Sequence, residues 1–316
     1  MINNLPKPFK PEKLPINLKN ILDFEIYPLL FEAEKLLGEY NGFLQSIINP
    51  MLLINPILSQ ETLSSSKLEG THATLEDVLN YDIGNILDTN TDEIIEILNY
   101  KKALIYALNH LGKINDDNNE LLPLSSKIIK ELHKILLNNA RGQSKTPGEF
   151  KRNQNYIGFK GEVTYTPVEP SLTNEYIYNL EEYIHSNEIN LILQSAIIHA
   201  PFEMIHPFQD GNGRIGRLLI PLFLYYRDYI SVPAFYMSTY FNENRSEYIE
   251  TLNNISKNND WKSWLKFYLK GVIISAKENT KKANSLNSYY NQIKNEILPQ
   301  LNSKHGIELV DLIFQS

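Results

Sequence analysis

Apolar residues recur at helical spacing through most of this 316-residue chain, and this pattern constrains its fold more than any other feature. Between residues 22 and 47 they return every three or four positions, which places them on one buried helical face. These residues are Leu22, Phe24, Ile26, Leu29, Leu30, Ala33, Leu36 and Leu37. Comparable patterns predict helices at 57–69, 92–112, 125–139, 171–186, 190–204, 213–228, 244–256 and 261–280, and the capping-box pattern of Thr74 with Asp77 predicts a further helix that begins there. We therefore predict an all-α protein.

One segment, residues 153–168, departs from the helical pattern. Its sequence, NQNYIGFKGEVTYTPV, alternates apolar and polar residues around a Phe-Lys-Gly-Glu turn, which predicts a β-hairpin. A lone hairpin is marginally stable as a structural element. We therefore expect it to serve as a flap over a site.

Composition excludes several kinds of chemistry. The chain has no cysteine, which excludes a disulfide scaffold, a cysteine-ligated zinc site and a thiolate nucleophile. Its net charge of −7 disfavours broad binding to nucleic acid. The apolar run from Leu218 to Tyr226 contains a proline and is too short to cross a bilayer. We predict a cytoplasmic protein that does not act at a membrane.

The segment His206-Pro-Phe-Gln-Asp-Gly-Asn-Gly-Arg-Ile-Gly-Arg217 carries the clearest chemistry. Its glycines allow several N–H groups to converge, and the helix that follows adds the positive end of its dipole, so the turn can hold an anion. Arg214 and Arg217 lie three apart at the start of that helix, and guanidinium forks suit phosphate oxygens. Asp210 could hold Mg²⁺ with one carboxylate, and His206 could take a proton.

This segment matches the Fic motif, HxFx(D/E)GNGRxxR, at every defined position. The flanks also resemble the family, with Ala196, His199, Phe202 and Ile205 before the motif and Leu218 and Leu219 after it. The resemblance covers roughly residues 20–280. It implies a Fic-type helical bundle with one β-hairpin flap, preceded by an N-terminal helical region. It also implies a nucleotidyltransferase that moves AMP from ATP to a hydroxyl of a target protein.

The resemblance assigns a role to most residues of the motif. His206 would be the general base, Phe208 would anchor the loop, and Asp210 would bind the Mg²⁺ that bridges the α- and β-phosphates. Arg214 would contact the phosphates, and Arg217 would pair with the γ-phosphate. The whole nucleotide-binding stretch that we predict is Asp210, Gly211, Asn212, Gly213, Arg214, Ile215, Gly216 and Arg217, with Gly211 to Gly213 as the anion hole.

A second motif, at residues 65–70, lies far upstream of the first. Ser65 and Glu69 lie one turn apart on a predicted helix face, and Gly70 is a suitable left-handed end for that helix. Ser65-x-x-x-Glu69-Gly70 resembles the inhibitory motif, (S/T)xxxE(G/N), of class II Fic proteins. The resemblance implies that Glu69 pairs with Arg217 and denies the γ-phosphate its partner, so that Glu69 also borders the nucleotide.

The flap and the adenine pocket are assigned by resemblance as well. Asn155, Tyr156, Ile157 and Gly158 match the flap stretch beside the nucleotide, where strand pairing would align the target segment. Tyr248, within Arg245-Ser-Glu-Tyr, matches the adenine pocket. Some relatives carry an asparagine eight residues after this tyrosine, where this chain has Ser256, and the role of that position is therefore in doubt.

These expectations divide the chain into three parts. Residues 1–120 form the N-terminal helical region with the inhibitory motif at 65–70. Residues 121–280 form the Fic core, with the flap at 153–168 and the motif at 206–217. Residues 281–316 form a polar tail whose end, IELVDLIFQS, resembles the start of a winged helix-turn-helix that is cut short.

Two alternatives remain open on the sequence alone. The same fold could use another donor, transfer phosphate or phosphocholine, or remove AMP. A different class of protein would use the Fic core only to sense ATP while it binds a partner or DNA. For the main interpretation we expect ATP, Mg²⁺, an unknown target protein, self-modification, a homodimer, no binding to DNA and a bacterial source.

Overall fold

The structure is a computed structural model that describes residues 6–19, 21–47, 51–82, 91–114, 120–140, 145–159, 162–187, 190–300 and 305–315. Helices dominate these residues, as predicted. The α-helices are α1 Ile26–Ser46, α2 Met51–Leu68, α3 Leu75–Asp82, α4 Thr91–His110, α5 Ser126–Leu136, α6 Pro170–His185, α7 Leu191–Ile205, α8 Asn212–Tyr226, α9 Ser238–Glu243, α10 Arg245–Asn258, α11 Trp261–Gln292 and α12 Gly306–Gln315. A π-helical turn, Ile293–Ile297, and a 3₁₀ turn, Leu298–Gln300, follow α11.

Several helix ends follow from the residues that cap them. Asn190 accepts hydrogen bonds from the N–H groups of Ile192 and Leu193 and so starts α7. Thr74 and Asp77 exchange side-chain and backbone hydrogen bonds at the start of α3. Gly70 takes a left-handed φ of 91° just after α2, a conformation that costs glycine little.

A single large hydrophobic core joins the N-terminal helices to the rest of the chain. It contains buried side chains from α1, such as Leu37, together with Tyr100 of α4, Phe223 of α8 and Trp264 of α11. Helix α1 packs along α11, and α2 contacts α4, α8 and α9. The predicted boundary at residue 120 therefore separates two stretches of sequence that share one core.

Helices α7 and α8 form the centre of the fold. Nearly every side chain of both helices is buried, and the two pack against each other as a hairpin. The turn between them is the motif segment that begins at His206. Because both helices are fixed by packing on all sides, they hold this turn in a defined position.

The predicted hairpin is present as two short antiparallel strands, β1 Ile157–Phe159 and β2 Glu162–Tyr165. Gly158 pairs with Val163 and Phe159 with Glu162, with an irregularity in the register after Ile157. The tip of the turn at 160–161 lies outside the described residues. The base of the hairpin contacts the α7–α8 turn, which places the flap beside the candidate site.

The structure differs from the helix prediction at three points, since α2 begins at Met51, six residues before the predicted start at 57. Helix α9 was not predicted, because its six residues are too few to show a periodic pattern. Helix α11 runs beyond the predicted end at 280 to Gln292, so the proposed boundary at 281 falls inside a helix. Helix α12 contains most of the segment IELVDLIFQS, and the resemblance of this segment to the start of a winged helix-turn-helix stays a prediction.

Among the described helices, none combines the length and the apolar character needed to cross a membrane.

Candidate active site

His206 occupies the C-terminal end of α7 with a left-handed φ of 49°. Its side chain is 22% exposed, and its Nδ1 is buried without a hydrogen-bond partner among the described residues. Burial lowers the pKa of His206 to about 4; the Lys151 ammonium adds to this, while Glu69 opposes it. The imidazole is therefore neutral near pH 7 and able to accept a proton.

The motif turn is braced from inside by Asn212. Its Oδ1 accepts a hydrogen bond from the N–H of Phe208 at 2.7 Å, and its Nδ2 donates to the carbonyl of Phe208 at 2.8 Å. The Phe208 ring is fully buried and stacks on His133, with 3.7 Å between ring centroids. These contacts fix the position of the loop relative to α5.

The base of the flap supports the same loop from outside. Asn155 donates from Nδ2 to the carbonyls of His206 and Phe208, at 3.0 and 2.8 Å. Lys151 donates from Nζ to Asn155 Oδ1 and to the carbonyl of Ile205, both at 2.9 Å. Burial lowers the pKa of Lys151 to about 7. Asn155, predicted to lie beside a nucleotide, thus contacts the backbone of the motif loop.

The N-terminus of α8 lies where the sequence predicts an anion cradle. Gly211 precedes the helix with a φ of 73° and carries no capping side chain, so the first N–H groups of α8 are not capped by it. Asp210 Oδ1 accepts the N–H of Gly211 at 2.6 Å and lies 3.8 Å from Arg214 Nη2. The Asp210 carboxylate remains 41% exposed, which leaves it accessible to a cation.

Arg217 is bound by both residues of the second motif. Its Nε donates to Ser65 Oγ and its Nη2 to the carbonyl of Ser65, each at 2.9 Å. Its Nη2 also donates to Glu69 Oε1 at 2.8 Å. The structure thus brings together Ser65, Glu69 and Arg217, which lie far apart in the sequence.

The Glu69 carboxylate lies directly against the start of α8. A Cβ added at Gly213 would be 2.2 Å from Glu69 Oε1 and 2.8 Å from Arg217 Nη1, so a larger residue there would force these side chains to shift. Burial alone would raise the pKa of Glu69, but the Arg217 guanidinium outweighs this effect and the pKa lies below its ordinary value. Glu69 is therefore an anion at the mouth of the cradle.

Arg214 is held by a residue of a different helix, α4. Its Nη1 donates to Glu96 Oε2 of α4 at 2.9 Å, and both side chains are almost completely buried. The Nε of Arg214 is buried without a hydrogen-bond partner in the part of the chain that the structure describes. A buried ion pair of this kind fixes a guanidinium rigidly.

A cavity of about 190 Å³ is bordered by Glu69, His206 and Arg217. It is lined by Leu68, Glu69, Ile157, Thr164, Tyr165, Glu203, Met204, His206, Gly213, Arg217, Arg245, Tyr248, Ile249, Leu252 and Asn253. Tyr248 is buried and its hydroxyl lies 2.8 Å from Nε2 of His199, which stacks on Trp264. The lining of the cavity thus includes His206 from the end of α7 together with residues of α10.

Two family descriptions match this chain. The Fic/DOC family matches residues 123–224, which include the motif and the flap, and the Fic/DOC N-terminal family matches residues 27–109, which include Ser65 and Glu69. The chain belongs to the Fic/DOC family.

Curated relatives carry a functional name. "Protein adenylyltransferase Fic" of Drosophila virilis is 32% identical over 152 residues, which cover 48% of this chain and 29% of that protein. Its counterpart in Drosophila melanogaster is 31% identical over the same length. The aligned residues span 29% of the length of each of these two relatives.

Solved Fic structures share the fold. A Fic family protein from Desulfovibrio desulfuricans G20 superposes with a TM-score of 0.70 over 96% of this chain and 86% of its own, at 19% identity. Fic-1 (residues 134–508) from C. elegans gives a TM-score of 0.62 over 82% of this chain and 73% of its own, at 20% identity. The Fic-type bundle predicted from the sequence is therefore confirmed.

The predicted site residues of this Fic protein do not all face the cavity. Glu69, Ile157, His206, Gly213, Arg217 and Tyr248 line it. Ile215 is fully buried in the core, Tyr156 is 47% exposed, and Gly158 packs against the carbonyl of Glu162 across the hairpin. The roles assigned to all these residues by resemblance stay predictions.

Sequence reasoning missed several residues of the site. Glu203 lines the cavity one turn before His206, where the spacing on α7 could have indicated it. Asn253 lines the cavity five positions after Tyr248, on the same helix as Ser256, the position left in doubt. Glu96 gave no signal, because its contact with Arg214 joins residues 118 positions apart.

Proposed function

We propose that this chain is a protein adenylyltransferase that transfers AMP from ATP to a hydroxyl side chain of a target protein and is restrained by its own Glu69. The observation that carries the proposal is one cavity bordered by a neutral histidine, a buried arginine and the N-terminus of a helix. The name of the Drosophila relatives supports the same activity.

The arrangement of charge supports binding of a triphosphate. The N–H groups at the start of α8, which receive no side-chain cap from Gly211, and the helix dipole would attract an anion, and Arg217 lines the same cavity with a guanidinium fork. The apolar side chains of Ile249 and Leu252 border the cavity near Tyr248 and suit the flat face of a base. Phosphates at α8 and adenine at α10 would span the cavity.

The reaction requires little covalent participation by the protein. The target hydroxyl oxygen attacks the α-phosphorus, the bond to pyrophosphate breaks, and AMP remains on the target. His206 accepts the proton of the hydroxyl, since its imidazole is neutral at working pH. Arg217 and the N–H groups of α8 stabilise the negative charge that shifts towards the leaving group.

The residues present fit a magnesium ion held jointly with the nucleotide. Among the described residues no group of three acidic or histidine side chains could hold a metal without other ligands. Mg²⁺ commonly takes one carboxylate and completes its shell with phosphate oxygens and water, and the exposed Asp210 carboxylate suits that role. When bound, the ion would neutralise phosphate charge.

The proposed restraint follows from competition for one guanidinium. Glu69 lies beside Gly213 and accepts a hydrogen bond from Arg217 at 2.8 Å. A γ-phosphate would compete with it for the same guanidinium. ATP would then bind with its γ-phosphate displaced and its α-phosphorus poorly aligned with the incoming hydroxyl. Removal of the carboxylate would restore the alignment.

The remaining expectations belong to the same proposal. We propose a cytoplasmic, homodimeric protein that modifies itself as well as a separate target and does not bind DNA. The net charge of −7 and the shortage of arginine and lysine at the flap support the last point.

The activity can be tested by intact-protein mass spectrometry after incubation with ATP and Mg²⁺. We expect a mass increase of one AMP in Glu69→Gly and none in Glu69→Gly/His206→Ala, because the second variant lacks the proton acceptor. Nucleotide binding measured by calorimetry serves as the control for a folded site in both variants.

Two results would contradict the proposal. Binding of ATP by Glu69→Gly without any mass increase on the chain or on proteins of a lysate would favour an ATP sensor. A mass increase that matches phosphate or another group would favour a different donor.

A further inference from the structure

Glu203 is a buried carboxylate without an assigned role, one helical turn before His206. Its Oε2 lies 4.0 Å from His206 Nδ1, and the two side chains are 12% and 22% exposed. Glu203 Oε1 and His206 Nδ1 are both buried and lack a hydrogen-bond partner among the described residues. Each side chain thus has one unsatisfied polar atom, and the other oxygen of the carboxylate, Oε2, is the one that lies near Nδ1; this arrangement is costly unless it serves a function.

The motif itself makes room for this carboxylate. A Cβ at Gly216 would lie 2.2 Å from Glu203 Oε1 and 3.1 Å from the ring of Phe202. Gly216 occupies a position that the Fic motif leaves open, so the motif alone does not require glycine there. Glycine at 216 is explained by the space that Glu203 occupies.

Charged and titratable groups face this pair from several elements. Arg217 of α8, Glu69 after α2 and Tyr248 of α10 face Glu203, while Lys151 and Asp210 face His206. Burial raises the pKa of Glu203 to about 7; Arg217 opposes this shift and Glu69 adds to it. Loss of Glu69 therefore favours the ionised form of Glu203.

We propose that Glu203 is a positioning residue for His206, a role that rests on the AMP transfer proposed above. Its carboxylate accepts the Nδ1–H of His206, which leaves Nε2 unprotonated and able to take the proton of the target hydroxyl. The oxygen–phosphorus bond then forms, the bond to pyrophosphate breaks, and the new imidazolium is paired with the carboxylate. The approach from 4.0 Å to hydrogen-bond distance accompanies substrate binding.

The kinetic test compares Glu203→Gln with its parent in the Glu69→Gly background, from about pH 5 to about pH 9. We expect kcat to fall about 10²-fold, within the range for a lost acid–base contribution, with little change in KM for ATP. The acidic limb of the profile should move to lower pH, because the neutral amide neither titrates nor raises the pKa of His206. Glu247→Gln, the same change at an exposed site on α10, should alter neither quantity.

Gly216→Ala provides an independent variant: alanine favours a helix, and the variant's melting temperature is measured first because the new methyl group also approaches Phe202. Its methyl group should displace Glu203 and produce the same loss of kcat and the same shift of the acidic limb. A lower kcat with an unmoved acidic limb in both variants would show a merely structural role and overturn the proposal.

A second readout does not depend on catalysis. Nitrogen NMR of the imidazole, assigned by comparison with His206→Ala, reports which ring nitrogen carries the proton when ATP and Mg²⁺ are bound. We expect an Nδ1–H tautomer with Glu203 present and loss of that preference in Glu203→Ala. An Nε2–H tautomer in the unchanged chain would overturn the inference. Absence of transfer together with the expected tautomer would refute AMP transfer and retain the Glu203–His206 pair.

Discussion

Replacement of Glu69 by glycine tests the proposed restraint most directly. The change removes one hydrogen bond, from Arg217 Nη2 to Glu69 Oε1 at 2.8 Å, and leaves both bonds from Arg217 to Ser65 in place. The guanidinium should therefore keep its position and become available to the γ-phosphate. Because Glu69 already follows the last residue of α2, glycine there should not shorten the helix.

The size of the effect can be estimated from the bond that ATP must displace. A hydrogen bond to a charged group contributes about 1.5–3 kcal/mol, and the lower part of that range applies because the Glu69 side chain is 37% exposed to screening water. About 1.5–2 kcal/mol corresponds to an increase in rate of about ten- to thirtyfold. We expect this increase in the initial rate of AMP transfer at low ATP concentration.

The assay is incorporation of labelled AMP from ATP into the chain itself. Glu243→Gly is a matched control, because it makes the same substitution at the exposed end of α9 and should leave the rate unchanged. Glu69→Gly/His206→Ala sets the background. The reasoning is refuted if Glu69→Gly transfers AMP no faster than the unchanged chain while the background variant is silent.

Three further predictions concern the parts that hold the site. Glu96→Ala should lower the free energy of unfolding in urea by about 3–5 kcal/mol, because Arg214 stays buried without its partner; a loss below about 1 kcal/mol would contradict this. Phe208→Ala should lower it by about 3–5 kcal/mol through the cavity left beside His133, and a near-normal melting temperature would argue against that packing. Burial lowers the pKa of His199 to about 3, below the value of about 6.5 in the unfolded chain, so its contribution is complete above about pH 6.5 and is lost as pH falls towards 3. Between about pH 7 and pH 5 this group alone should cost about 2 kcal/mol, a dependence that urea titrations of His199→Gln should lack.

Much of the fold could be predicted because its helices bury one face in a regular pattern. The periods at 22–47 and 190–204 gave α1 and α7 to within a few residues. Helix α9 escaped prediction because six residues show no period. The continuity of α11 beyond residue 280 was missed because its second half is polar and lacks a regular apolar pattern.

The part of the candidate site formed by consecutive residues could be predicted from the sequence. Contacts between residues far apart in the sequence could not. The turn from His206 to Arg217 is a continuous segment, so its glycines and arginines could be interpreted together. Glu96 could not be connected to Arg214 from the sequence, since only the packing of α4 against α8 brings them into contact. Glu203 was visible in principle, but a single acidic residue in an apolar helix does not indicate which way it points.

The near contact between residues 69 and 213 limits how this chain could evolve. The space at glycine 213 that would receive a phosphate also receives the carboxylate of Glu69, because a methyl group there would lie 2.2 Å from its oxygen. A larger residue at 213 would displace the Glu69 carboxylate and would also obstruct the proposed phosphate site. Under the proposed restraint, a substitution at Ser65 or Glu69 would remove the competing contact with Arg217 and leave Gly213 unchanged.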